Sequence, residues 1–224
     1  MGHILGDILP QALGVAISPI PIIAVILMLF SKRARSNGLA FMFGWVITLA
    51  VVGGVVLMMT NAGKISAGGT PTTLSYVIKL VIGLLFLFLA YRNWEKRPAP
   101  GEAAQLPAWM ASLDSFTSGK SFGTAALMAG VNPKNLGLTL AAALTISQAG
   151  LSGTQSWIAL LVFVILGSIT VAAPVLYYLI AGASAEKTLN GWKAWLTANN
   201  ATVMFVLFLV LGVKLIGDGL GGLF

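Results

Sequence analysis

Apolar residues in this chain gather into long blocks with short polar joints between them. Six blocks stand out, over about 8–30, 38–59, 74–91, 122–147, 154–181 and 201–217. Each approaches the roughly 20 apolar residues that carry a helix across a hydrocarbon core about 30 Å thick. Alternation with a period of two is absent, which argues against a barrel. Backbone polar groups must pair internally in lipid, so the blocks predict six transmembrane helices. The expected fold class is therefore an all-α polytopic membrane protein. Its expected parts are a first three-helix group over 1–92, a loop over 93–120 with a short interfacial helix, and a second three-helix group over 121–224.

Composition sharpens this. The chain has 224 residues, 58 % of them apolar and 8 % charged, against about 25 % charged in soluble domains. A soluble domain and a disordered chain are both excluded on these grounds. There is no Cys and only one His, beside six acidic residues. No metal site, cofactor or acid–base pair is expected, and hence no enzyme. No nucleotide-binding GxxxxGK[ST] pattern occurs. Residues 1–7 hold no Lys or Arg and the first apolar run is too long for a signal peptide, so it is expected to remain as a span.

The net charge of +7 does not point to nucleic acid, because the charges sit in a few joints. Lys32, Arg33 and Arg35 follow the first block. Arg92, Lys96, Arg97 and Lys120 follow the third, and Lys187 and Lys193 follow the fifth. The opposite side offers only Lys64. An excess of Lys and Arg marks the cytoplasmic side, so both termini are expected outside. Two of the basic joints carry helical periodicity. Leu106, Trp109, Met110, Leu113 and Phe116 share one face, and Leu189, Trp192 and Leu196 share another. Both predict short helices on the membrane surface; scattered Trp anchors in a loop are the alternative.

Polar and helix-breaking residues inside the blocks are the informative ones, because they are costly in lipid and usually face an interior. The fourth block holds Asn132-Pro133-Lys134-Asn135. Pro133 removes a backbone donor, and Lys134 stands about 13 residues, or about 18 Å, into the helix. No carboxylate is evident at that depth. Lys134 either serves a ligand or pairs with buried carbonyls in a kinked helix. The first block holds Ser18-Pro19-Ile20-Pro21 at a matching depth. If the chain is two three-helix repeats, an odd helix count inverts the second. Breaks at corresponding positions of two such halves point to a transport site at mid-depth. Lys79 and Lys214 lie nearer the outer side. They either continue a cationic path from Lys134 or reach out to the interface, and Lys214 can pair with Asp218 at i, i+4. With no acid at mid-depth, the interior favours an anionic group. Glycines within the helices permit close packing and a homodimer.

At these residues the chain resembles the LysE superfamily of membrane exporters, which carries Pro-x-Pro in its first helix and Asn-Pro-Lys in its fourth. Here these read Pro19-Ile20-Pro21 and Asn132-Pro133-Lys134. Ser18 to Val25, Asn37 to Phe41 with Gly44-Trp45, Pro107 to Met110, and Asn132 to Asn135 look like its GAP, or sulfolipid-addressing (Sap), branch. The similarity spans roughly 5–215. It implies six helices in two inverted three-helix repeats, helices 1 and 4 interrupted, in a bacterial inner membrane. It also implies export of lipids or glycolipids to the cell surface. Amino-acid exporters of the superfamily usually carry Gly between the prolines and often an acid soon after. Ile20 and the apolar run to Phe30 depart from that.

The function expected is export or flipping of an anionic lipid or glycolipid. Lys134 attracts the headgroup, Asn132 and Asn135 bond it, and the breaks at Ser18, Pro19, Pro21 and Pro133 offer half-helix ends. Membrane lipids and lipid-synthesis proteins are the expected partners. Export of a small solute such as an amino acid, and a non-transporting scaffold for lipid assembly, are the alternatives.

Overall fold

The computed structural model describes residues 2–61, 73–97 and 108–223. Lys64, Leu106 and the linker over 98–107 lie outside them. Every regular element among the described residues is helical. In chain order these are α1 (Gly2–Ala16), α2 (Pro19–Leu29), α3 (Ala34–Asn61), α4 (Thr73–Glu95), a 3-10 helix (Ala108–Ser115), α5 (Ser118–Gly130), α6 (Pro133–Gln148), α7 (Gly153–Ala181), a 3-10 turn (Gly182–Ser184) and α8 (Ala185–Leu220).

Three stretches are long and apolar enough to cross a membrane: α3, α4 and the run from Gly153 to Leu220 that α7 and α8 form together. A fourth follows if α1 and α2, bent by 51° at their break, count as one span. Outward-facing Phe43, Val51, Val81, Phe88, Ile165 and Val210 are all at least half exposed. So much exposed apolar surface suits lipid rather than water. The core lies between α1, α3 and α7, where Ile8, Val15, Phe41, Trp45, Leu49 and Phe163 are fully buried.

The contacts fix the helix directions. Val15 lies beside Gly167 and Ala16 beside Thr170, so α1 and α7 run parallel. Gly44 meets Phe122, and Thr48 meets Gly130, so α3 and α5 are parallel too. Trp45 donates from Nε1 to the Gly167 carbonyl at 3.2 Å, and Gly53 meets Leu160, which makes α3 and α7 antiparallel. α4 and α8 form a long antiparallel pair, with Leu80 against Gly219 and the Trp94 ring 4.7 Å from that of Phe205. Their backbones touch where Gly83 faces Gly212. A Cβ on Gly83 would lie 3.0 Å from the Gly212 carbonyl oxygen.

Two elements differ from the sequence expectation. Residues 186–197 do not form a separate surface helix; they are the first turns of the 36-residue α8. Thr197 Oγ1 donates to the Lys193 carbonyl at 2.8 Å, and Asn199 Nδ2 to that of Trp195 at 2.9 Å. The polar stretch before the last apolar block thus satisfies itself on the helix instead of ending it. The segment near Trp109 is an eight-residue 3-10 helix rather than an α-helix, with Ala108, Trp109, Ser112 and Ser115 exposed. Side chains three apart eclipse in that geometry, and Met110 and Leu113 are buried together. The joint before α3 is tied to the one before α5 by Asn37, whose Nδ2 donates to the Phe116 carbonyl at 2.9 Å.

Candidate functional site at the two helix breaks

The chain leaves helical geometry twice within its apolar blocks, each time one residue before a proline. A proline pushes the preceding residue to extended backbone. Ser18 has φ −127° and ψ 84°, and Asn132 has φ −60° and ψ 122°. Pro19 and Pro133 then occupy the first position of α2 and α6, where a missing N–H costs nothing.

Each break frees the last carbonyls of the helix before it. At the end of α1 these carbonyls are met by side chains. Lys134 Nζ donates to the Gly14 carbonyl at 2.6 Å, to the Ile17 carbonyl at 3.0 Å and to Ser18 Oγ at 2.7 Å. Ser18 Oγ lies 2.6 Å from the Val15 carbonyl, to which it donates, and 3.2 Å from Asn135 Oδ1. Thr170 Oγ1 donates to the Ala16 carbonyl at 2.5 Å. At the end of α5, Asn135 Nδ2 donates to the Met128 carbonyl at 2.8 Å. Asn132 Oδ1 caps α6 by accepting from the Lys134 N–H at 3.0 Å.

Lys134 is 4 % exposed, and its surroundings explain how a buried ammonium is tolerated without a carboxylate. Its side chain runs back past the start of α6 to the C-terminal end of α1. That end carries the negative pole of the helix dipole, and three acceptors match the three ammonium protons.

The break residues line one cavity of about 170 Å³: Ser18, Pro19, Ile20, Pro21, Asn132, Lys134 and Asn135 all face it. Pro133, the first residue of α6, is exposed and is not among the residues that line it. The N-termini of α2 and α6 both abut this space, and such ends favour anions. Asn93, Asn200 and Met204 complete the wall, and nothing in the sequence reading pointed to them. Asn200 Oδ1 is buried with no hydrogen-bond partner among the described residues. Asn93 sits in the last turn of α4, so the cavity is displaced toward the end of the bundle that carries the basic joints.

Lys79 and Lys214 come together, but not with Lys134. They line a second cavity, of about 260 Å³, with Asp7, Gln11, Thr145 and Asp218. Lys214 Nζ is 2.6 Å from Asp218 Oδ2. Two lysines and two aspartates leave this cavity with no formal excess of charge. Leu138 and Leu211 close on Gly14 between the two cavities, both within 3 Å of where a Gly14 Cβ would stand.

These features define a helical membrane protein whose two broken helices bring a capped lysine, asparagine amides and two helix N-termini to one half-open cavity. The chain belongs to the Sap, sulfolipid-1-addressing protein, family, whose family model matches residues 8–221. No curated protein and no solved structure matches it.

Proposed function

We propose that the protein is a transporter that exports or flips an anionic lipid or glycolipid, with the headgroup held in the cavity at the breaks. The observation that carries this is the convergence of Lys134, Asn132, Asn135 and the N-termini of α2 and α6 on one cavity. The unpartnered Oδ1 of Asn200 suits a headgroup that also offers a hydroxyl, as glycerol or a sugar does. The family's sulfolipid name agrees with an anionic head.

In this proposal six spans cross the membrane: α1–α2, α3, α4, α5–α6, α7 and α8. At 1.5 Å per residue α7 and α8 are about 44 and 54 Å long, so each can cross alone. Pairing the first three spans with the last three maps several neighbour contacts onto one another. The parallel pair α3–α5 maps onto α7–α1, the pair α2–α3 onto α6–α7, and α3–α6 onto α7–α2, and all of these pairs are in contact. That supports two inverted repeats. The basic joints lie in the cytoplasm of a bacterial cell and both termini outside.

Lys134 then acts as a latch. It joins α6, in the second repeat, to α1, in the first. An anion entering from the basic end competes with the α1 carbonyls for the ammonium, and once it wins, the repeats are free to rock. The protein carries out no bond-making chemistry. Export of a small solute has one observation in its favour: about 170 Å³ is below the roughly 300–1,000 Å³ of usual ligand pockets.

Native mass spectrometry of the purified protein separates these. The panel is phosphatidylglycerol, phosphatidylcholine and arginine, with Asn132→Ala run beside the wild type. Phosphatidylglycerol should be retained selectively and lost in the variant. Equal retention of both lipids, or retention of arginine alone, would contradict the proposal.

A further inference from the structure

A third cavity, of about 630 Å³, follows the seam between α1 and α8. Gly6 and Pro10 leave the α1 side of the seam open, Leu211 fills the space beside Gly14, and Leu13, Val206 and Val210 give the seam apolar walls. From Gly6 to Ile17 it extends about 16 Å along α1, about half of a hydrocarbon core. Its ends adjoin both polar cavities. Gly6 precedes Asp7 of the charge-balanced cavity, while Ile17 precedes Ser18, and Asn199 precedes Asn200, at the cavity of the breaks. Asn199 and Thr202, the wall's polar aliphatic side chains, lie at the end next to the breaks. The groove therefore has the polarity of an amphiphile whose head lies at the breaks. A cavity of 170 Å³ takes only such a head, so the chain needs a separate place.

We infer that the α1–α8 groove is an acyl-chain site, holding one chain of the lipid whose headgroup occupies the cavity at the breaks. This rests on the function proposed above. Because the groove passes beside both polar cavities, the chain keeps its apolar contact while the head moves from one to the other.

The test uses full-length protein and two probes: phosphatidylglycerol, and glycerol 3-phosphate as a head without chains. Leu13→Trp with Val206→Trp fills the groove at two exposed positions; Val81→Trp, on the far face of α4, is the control. The filled variant should bind phosphatidylglycerol about tenfold more weakly, the loss of two or so buried methylenes. Glycerol 3-phosphate binding, and both probes on the control, should stay at the wild-type level. A second measurement needs no substitution: phosphatidylglycerol with a diazirine in its chain, photolysed on wild-type protein, should label α1 and α8 above α3, α4 and α7. Unchanged lipid binding in the filled variant, or even labelling of all outward faces, overturns the acyl-chain site while the headgroup site stands. Failure of the wild type to bind either probe overturns both.

Discussion

Replacing Lys134 by Met keeps the length and apolar stem of the side chain and removes its three donors. The Gly14 and Ile17 carbonyls and Ser18 Oγ then lose contacts of 2.6, 3.0 and 2.7 Å. Polar contacts between membrane helices average about 0.6 kcal/mol and reach about 1.7, so three amount to roughly 2–5 kcal/mol. Removing a buried charge returns part of its desolvation cost. The ammonium sits against the negative end of α1, however, so that return is small and the net loss should be about 2–3 kcal/mol. Unfolding in mixed micelles titrated with dodecyl sulfate, followed by Trp fluorescence, reads this directly. Ser18→Ala in the same background should be strongly non-additive, because Lys134 bonds Ser18 Oγ directly and the two cap neighbouring carbonyls at one helix end. A Lys134→Met protein within about 0.5 kcal/mol of wild type would refute the capping role and leave the lysine's burial without a cause.

Other outcomes follow from the same contacts. Gly83→Leu should separate α4 from α8, since even a Cβ meets the Gly212 carbonyl at 3.0 Å; a loss of about 1–3 kcal/mol is expected in the same unfolding assay. Thr170→Val removes the donor to Ala16 and should cost about 1 kcal/mol. Lys214→Gln breaks a partly exposed pair with Asp218 and should change stability by less than about 1 kcal/mol. Asn200→Leu loses no hydrogen bond from its Oδ1; it should keep the fold but weaken binding of a glycerol headgroup about fivefold, measured by lipid titration in native mass spectrometry.

Four of the six apolar blocks were legible because each lies within one helix, α3, α4, α7 or α8; the other two are the broken pairs α1–α2 and α5–α6, and their breaks were legible because proline leaves few options in a helix. Other features were hidden for definite reasons. The partners of Lys134 are backbone carbonyls, and every residue has one, so a search for deep carboxylates passes over them. Asn93 and Asn200 lie just beyond the apolar blocks, where polar residues excite no notice, and only packing turns them toward the breaks. The periodicity of 186–197 was a true helix signal. What it lacked was a stop, because Thr197 and Asn199 bond back to their own helix. Met110 and Leu113, spaced by three, were read as an α-helical face, although that spacing serves a 3-10 turn as well.

Lipid movement across a bilayer tests the proposed function most directly. Purified protein in liposomes, with phosphatidylglycerol or phosphatidylcholine carrying a fluorophore on the acyl chain, can be bleached from outside by dithionite. The anionic lipid should reach the outer leaflet faster than in protein-free liposomes and faster than the neutral lipid, and Asn132→Ala should slow it. Equal rates for both lipids, or rates no faster than without protein, would contradict transport of an anionic lipid through the breaks.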